Sequence, residues 1–399
     1  MRVAVVNPVG GIGGAERVLL DLLRFGQAPG VTFVVVALGG GPLVEKAAAL
    51  GAEVEVVPMP ERLAALGDSP VRAGGVVALA KTALGTAARG LEAARFSRAL
   101  CERLVARRPD VVHSNGLKVH LLLAPLRGRV PVVWHLHDFI GERPLMRYGL
   151  RAAAGSAAAA LCISRAVGED ARRWLPGVRC EVVPNGVDVE RFSPGGAVAE
   201  LDRLAGLPEA PAGTARVGMV ATYARWKGQE VFLQAASQVD ARCYVVGGPV
   251  YRSSGSQFSL EELKGLAARL GVEGRVGFVP FQERVEEVYR ALDVVVHAST
   301  RPEPFGLTIA EAMACGRPLI ASRAGGAAEL FEDGVEAVGL PEVSAGSLAR
   351  AISGLLADPV RREALGKAAR AGAVARHSSE RFAADVLGLY RSIAEVRGH

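Results

Sequence analysis

Short apolar runs recur along this chain of 399 residues, and stretches of helical periodicity separate them. The first series runs Val3–Val6, Thr32–Ala37, Glu53–Val57, Val111–His113, Val130–Trp134, Leu161–Ser164 and Glu181–Pro184. Apolar runs of this length fit strands covered on both faces, and strands alternating with helices imply a parallel sheet between helical layers. The pattern then begins again, with RVGMV at 216–220 opening a strand as MRVAV did at the start. Between the two series lie a Pro-Asn-Gly turn at 184–186 and a Pro/Gly/Ala-rich tract, Ser193–Thr214, which mark a boundary by composition. The reading is an α/β chain of two Rossmann-like halves with parallel sheets facing a cleft. Ligands of such sheets sit at the carboxyl ends of the strands.

Chemistry concentrates in RPEPFGLTIAEAMACGRPLIASRAGG, residues 301–326. Pro302, Pro304 and Gly306 force a tight loop. From Leu307 the spacing of Ala310, Met313 and Ala314 predicts a helix, ended by Gly316-Arg317-Pro318, and Leu319-Ile320-Ala321 predicts a short buried strand. The first N–H groups of that helix, around Phe305, Gly306 and Leu307, form an anion site suited to a diphosphate. Glu303 at the mouth can accept hydrogen bonds from sugar hydroxyls. Glu311, roughly 9 Å along the helix, can accept them from a ribose diol. The plainer alternatives stay open at this point: Glu303 complementing the helix dipole and Glu311 lying on a solvated face.

The string E-P-F-G-x-x-x-x-E-A-M-A-x-G-x-P, followed by A-G-G-x-x-E at Ala324–Glu329, resembles the donor-site signature of retaining GT-B glycosyltransferases of family 4. The resemblance implies that Glu303 faces the donor sugar, that Glu311 binds ribose, and that the backbone of Pro304, Phe305, Gly306 and Leu307 meets the diphosphate. It covers nearly the whole chain. The opening NPVGGIGGAE fails as a dinucleotide fingerprint, because the third glycine position is Glu16 and the second strand ends without an acid. In family 4 a G-G-x-E turn lies against the donor, which implies that role for Gly13 and Gly14; a glycine loop packing helix on sheet is the alternative. His135 and His137 share a strand face, yet no third metal ligand is placed. The H-L-H-D stretch resembles the family's H-D pair, so His137 is expected beside the donor sugar with Asp138 as its partner, against the alternative of a core histidine. In ATYARWKGQE, Lys227 matches the family's phosphate-binding lysine, whereas the position of its arginine is Thr222. Arg225 either supplies the missing charge or the diphosphate is held less firmly. The turn Pro280–Glu283 is where the nucleobase would lie.

The implied domains are 1–186, joined by a terminal helix within 380–399 that Ser379 caps, and 187–379, with a hinge at Asn185–Asp188. The implied reaction transfers a hexose-like sugar from a nucleoside-diphosphate sugar to an acceptor hydroxyl, glycan, lipid-linked or small molecule, without metal or other cofactor. Lys227, Glu303 and His137 would serve the reacting centre. A nucleotide-sugar epimerase and a non-catalytic binding protein are the alternatives, and a nicotinamide oxidoreductase is disfavoured.

Composition bounds the setting. Five scattered cysteines without a C-x-x-C pair suit reduced cytoplasmic thiols, and MRVAVVNPVGG reads as a strand rather than a signal peptide. Residues 1–190 carry 23 Lys and Arg against 17 Asp and Glu, and the excess is matched by Arg72–Arg108, with eight basic and two acidic residues. An amphipathic basic helix there would touch an anionic membrane surface peripherally, or simply be a solvated face. Its single aromatic, Phe96, offers no stacking platform for nucleic acid.

Overall fold

The computed structural model describes residues 1–64, 76–144, 146–249 and 255–395, with side chains from residue 90 onward in the helix Val76–Ala106. The chain divides into two compact units, Met1–Pro184 with Phe382–His399, and Asn185–Arg381. Each is a parallel sheet wound with helices.

The first unit contains β1 (Arg2–Asn7), β2 (Thr32–Ala37), β3 (Glu53–Val56), β4 (Val111–Ser114), β5 (Val132–Leu136), β6 (Ala157–Cys162) and β7 (Cys180–Val182), in the order β3-β2-β1-β4-β5-β6-β7. β1 lies between β2 and β4, with Val5 opposite Val35 on one side and His113 on the other. Val3 to Val6 are 0% exposed, which explains the unbroken apolar run: both faces are covered. The second unit contains β8 (Arg216–Val220), β9 (Arg242–Val246), β10 (Val276–Val279), β11 (Val294–His297), β12 (Leu319–Ser322) and β13 (Val338–Leu340), ordered β10-β9-β8-β11-β12-β13. Its core gathers Val217, Met219, Phe232, Leu233, Val245, Ile320, Leu348 and Ile352.

In both sheets the winding reverses beside the first strand. The chain moves outward through β2 and β3 and returns to β4 on the other side of β1; β8, β9, β10 and β11 repeat the move. Where the order reverses, the loops after the two central strands diverge and leave a crevice at their carboxyl ends. That topology decides which loops meet: those after β1 and β4, and those after β8 and β11.

Local differences from the sequence reading have physical causes. β6 begins at Ala157, four residues before the expected Leu161, because an all-alanine stretch carries no β-branched signal and pairing with β5 decides its state. β5 extends to Leu136, which puts His135 inside the strand and His137 just beyond it. The terminal helix starts at Ser379, so Ser379 is helical; Ser378 caps it, its Oγ accepting from the Arg381 N–H at 3.2 Å.

Of the basic stretch Arg72–Arg108, residues 72–75 lie outside the described residues, as do 250–254 of the Gly/Ser-containing segment Pro249–Phe258. In the described part of the helix Val76–Ala106, Leu100, Cys101 and Leu104 are buried; Arg103, and Arg107 just beyond the helix, pair with Glu55 at 3.0 and 2.5 Å. No helix among the described residues is long and apolar enough to cross a membrane.

Candidate functional site

In the second unit, the loops after β8 and β11 are stitched together. The Thr300 N–H donates to the Trp226 carbonyl at 2.8 Å. The loop after β11 is fixed in turn by the segment after β12: the Glu303 N–H donates to the Ala324 carbonyl at 3.0 Å, and the Gly326 N–H to the Glu303 carbonyl at 2.7 Å. Gly325 sits between them at φ 70°, where an added Cβ would lie 2.5 Å from the Glu303 carbonyl oxygen. Only glycine fits there, which accounts for A-G-G at that spacing.

This scaffold brings Lys227 and Glu303 together. Lys227 Nζ lies 2.9 Å from Oε1 and 2.7 Å from Oε2 of Glu303, with the two side chains 18% and 8% exposed. Oε2 also accepts from Ser299 Oγ at 2.8 Å and contacts His297 Nε2 at 3.1 Å. Burial by itself would raise the Glu303 pKa, but Lys227 and then His297 outweigh it and hold the carboxyl well below its usual range. Glu303 is therefore an ionised, buried carboxylate. The helix Leu307–Ala314 begins four residues later; its N-cap is Gly306, at φ 109°, which provides no side-chain cap. Phe305 and Gly306 are buried, and Pro304 and Leu307 half-buried. That end of the helix carries the positive pole of its dipole.

Glu311 is 5% exposed, which overturns the solvated-face alternative; Tyr289 Oη donates to its Oε2 at 2.7 Å. Buried carboxylates are held by hydrogen bonds, and Tyr289 supplies one. Arg225 has partners of its own. It bonds Glu262 at 2.7 Å and the Gly255 carbonyl at 3.2 Å, and stacks over Phe258 at 4.2 Å. The Thr222 carbonyl accepts from Gln229 Nε2 at 2.6 Å.

A second group forms in the first unit at its own reversal point. Gly13 precedes the helix that begins at Gly14, and its N–H donates to Glu16 Oε2 at 3.0 Å. A Cβ on Gly10 would strike the Gly40 carbonyl at 2.2 Å, whereas one on Gly11 would meet nothing within 4 Å. Packing against the loop after β2 thus demands glycine at 10 and not at 11, leaving the backbone at the tip of the turn approachable. His137 is half-buried, and its Nε2 lies 2.7 Å from Asn115 Oδ1. The expected partner Asp138 instead pairs with Arg143 at 2.9 Å, because the strand ends at Leu136 and Asp138 turns away with the loop. Desolvation lowers the His137 pKa to about 4. His113 and His135 are core residues, 1% and 2% exposed, with rings 5.0 Å apart; Tyr390 bonds His113. The rings of His135 and His137 are 3.9 Å apart, and among the described residues no three His, Cys, Asp or Glu side chains gather as metal ligands.

Sequence reasoning passed over His297, Ser299 and Tyr289 in one group and Asn7, Glu16 and Asn115 in the other. All but Tyr289 and Glu16 lie in or directly after an apolar run, in VVVHAST, VVNP and VVHSNG, where a doubly wound sheet presents side chains to ligand.

The chain matches the family Glycosyl transferases group 1 over residues 208–372 and Glycosyltransferase Family 4 over residues 12–191. A D-inositol 3-phosphate glycosyltransferase of Geodermatophilus obscurus is 35% identical over 268 residues, 64% of this chain and 55% of that one. One from Segniliparus rotundus is 36% identical over 227 residues, covering 55% and 48%. The chain spans about half the length of these relatives. Among solved structures, Anabaena Alr3699/HepE in complex with UDP and glucose superposes with a TM-score of 0.79 at 25% identity, over 98% of this chain and 100% of that one. A sucrose-phosphate synthase from Thermosynechococcus elongatus shares the fold, with a TM-score of 0.77 at 21% identity over 99% and 100%. Two doubly wound sheets of seven and six strands, two family matches that together span residues 12–191 and 208–372, and these neighbours lead to one assignment: the chain belongs to the group 1 glycosyltransferases of GT-B fold.

Proposed function

We propose that this chain transfers a hexose-like sugar from a nucleoside-diphosphate sugar to an acceptor hydroxyl, with retention at the anomeric carbon and without a metal. The observation that carries the reading is the largely buried Lys227–Glu303 pair at the reversal point of the second sheet, with Glu303 four residues before the helix Leu307–Ala314. Leaving-group charge is the difficulty in such a transfer. Lys227 and the helix N-terminus at Phe305–Leu307 supply fixed positive charge where the diphosphate departs. Lys227 is paired with Glu303. Arrival of a donor exchanges partners: the ammonium turns to the diphosphate, and sugar hydroxyls take its place on Glu303.

The remaining roles follow the same logic. Glu311, held by Tyr289, accepts from the ribose diol, and His137 with the Gly13–Gly14 turn faces the donor sugar. No nucleophilic side chain is needed if the leaving phosphate oxygen takes the acceptor's proton on the same face. Arg225 would have to leave Glu262 and Phe258 to stand in for the arginine replaced by Thr222. If Arg225→Ala leaves donor affinity unchanged while Lys227→Ala weakens it, that substitution of roles is ruled out.

A screen of binding, hydrolysis and transfer over UDP-, GDP- and ADP-sugars, with and without chelator, tests the function. UDP-glucose is the first donor to try, because HepE was solved with it, and an inositol phosphate is the first acceptor, because the relatives are named for one. Transfer product with the donor's anomeric configuration supports the proposal. An isomerised donor without product indicates an epimerase, and binding without turnover indicates a non-catalytic protein; either refutes it.

A further inference from the structure

Four side chains of the first unit stand in one hydrogen-bonded line that ends at His137, and the chemistry of the far end dictates the state of the near one. Glu16 is 7% exposed, and both of its carboxylate oxygens accept hydrogen bonds. It takes the Gly13 N–H on Oε2 at 3.0 Å and Asn7 Nδ2 on Oε1 at 3.3 Å. The Val9 carbonyl, acceptor-only, takes Asn7 Nδ2 at 2.7 Å. Two acceptors therefore hold the Asn7 amide with nitrogen toward them and Oδ1 away. Asn115 must meet that oxygen with its own nitrogen, which it does at 2.7 Å, and this leaves Asn115 Oδ1 facing His137 Nε2 at 2.7 Å. Asn7 and Asn115 are 0% and 1% exposed, so water does not scramble the order.

We propose that Glu16, Asn7 and Asn115 are positioning residues that lock His137 as its Nε2–H tautomer, so that Nδ1 is presented as an acceptor for a ligand hydroxyl. The lowered pKa of His137 keeps the ring neutral near pH 7, with one proton to place. An acceptor opposite Nε2 claims that proton, and the second ring nitrogen keeps its lone pair. The three residues come from the ends of β1 and β4 and the first turn of the helix Gly14–Phe25, elements whose backbone is already fixed by the sheet. The role of Nδ1 toward a hydroxyl rests on the proposed transferase reading; the tautomer itself does not.

The test is a long-range ¹H–¹⁵N correlation spectrum of the full chain labelled with ¹⁵N-histidine, without any sugar nucleotide. The His137 signals are assigned by their loss in His137→Gln. Wild type is expected to show a protonated Nε2 and a bare Nδ1, with the other tautomer at least about tenfold less populated. Asn115→Leu removes the acceptor and is expected to mix the tautomers. Asn7→Leu, which does not touch His137, is expected to do the same by freeing the Asn115 amide to turn over. Asn115→Asp, which retains an acceptor oxygen, is expected to keep Nε2 protonated. A protonated Nδ1 in wild type overturns the proposal even if no variant folds, and so does an unchanged tautomer ratio in both leucine variants. Because the spectrum needs no turnover, a failed donor screen with Nε2 protonated would remove the transferase reading and leave the relay standing, and the reverse outcome would do the opposite.

Discussion

The Lys227–Glu303 pair makes a stability prediction that does not depend on any substrate. At 2.7 Å and an effective dielectric of about 20, the Coulomb attraction is about 6 kcal/mol, from which the desolvation of two nearly buried charges must be subtracted. Removing one partner of a buried pair strands the other, at a cost of about 3–5 kcal/mol in the general case. Here the stranded groups are partly relieved. Glu303 keeps Ser299 and His297, and Lys227, at 18% exposure, can turn toward water. Lys227→Met and Glu303→Gln are therefore each expected to lose about 2–3 kcal/mol, near the low end of that range. The double variant buries no charge and should lose no more than either single one, a coupling of about 2 kcal/mol. Urea titrations of the four proteins, followed by tryptophan fluorescence from Trp226 in the adjoining turn, measure it. Losses that add to within about 0.5 kcal/mol would show that the two groups do not feel each other, and the partner exchange proposed for donor binding would have to be abandoned. In transfer assays, Lys227→Ala and Glu303→Ala should each lower turnover by roughly 10²–10³-fold, the scale of one preorganised charge-stabilising group.

Three further outcomes are expected. Tyr289→Phe should cost about 1–3 kcal/mol of stability, the range for leaving a buried acceptor without its donor, and should weaken UDP binding in calorimetry because Glu311 loses its anchor; unchanged affinity would detach Glu311 from the nucleoside. Gly325→Ala forces a Cβ to 2.5 Å from the Glu303 carbonyl at φ 70°, so it should cost about 1–3 kcal/mol in a denaturation midpoint and lower turnover; a neutral result would mean that this loop is not rigid. His113, with pKa lowered to about 3 by burial and then by His137, stays neutral in the folded chain together with His120 and His135. The unfolded chain protonates each near pH 6.5, so folding stability should fall as pH drops from about 6.5 toward 4, by up to about 1.4 kcal/mol per pH unit for each histidine. A urea midpoint that stays level between pH 6.5 and 5 would contradict that burial.

The fold was legible because its signal is redundant. Buried parallel strands such as Val3–Val6 and Thr32–Ala37 announce themselves as unbroken apolar runs, and the restart at Arg216 exposes the second sheet. The residues from Leu307 to Ser322 were also readable, because glycine and proline bound that helix and strand on both sides. What stayed hidden are partners set by strand order. Nothing local in the sequence says that Asn7 and Asn115 touch; they meet because β1 and β4 are neighbours with register Val6 to Ser114, one residue before each. Asp138, adjacent in sequence to His137, looked like its partner, and the neighbouring strand supplied Asn115 instead.

Strand order also explains why the chain gathers two groups of polar side chains in the same place in two different sheets. At a reversal point the two central strands end side by side while their connections leave in opposite directions, so no crossover helix covers their tips. Polar groups there are flanked by sheet, by neighbouring loops and, at Asn7, by the first turn of the helix Gly14–Phe25, buried enough for charge and hydrogen bonds to be strong. Lys227 after β8 and Glu303 after β11 occupy that position in the second unit; Asn7 at the end of β1 and Asn115 after β4 occupy it in the first. The two groups differ in chemistry. One is an ion pair, proposed to exchange its internal partner for a diphosphate; the other is a line of two amides running from Glu16 to the His137 ring. In the proposed transfer, the duplicated geometry divides the work by residue type, with charge on the second sheet for the leaving group and tautomer control on the first for the sugar.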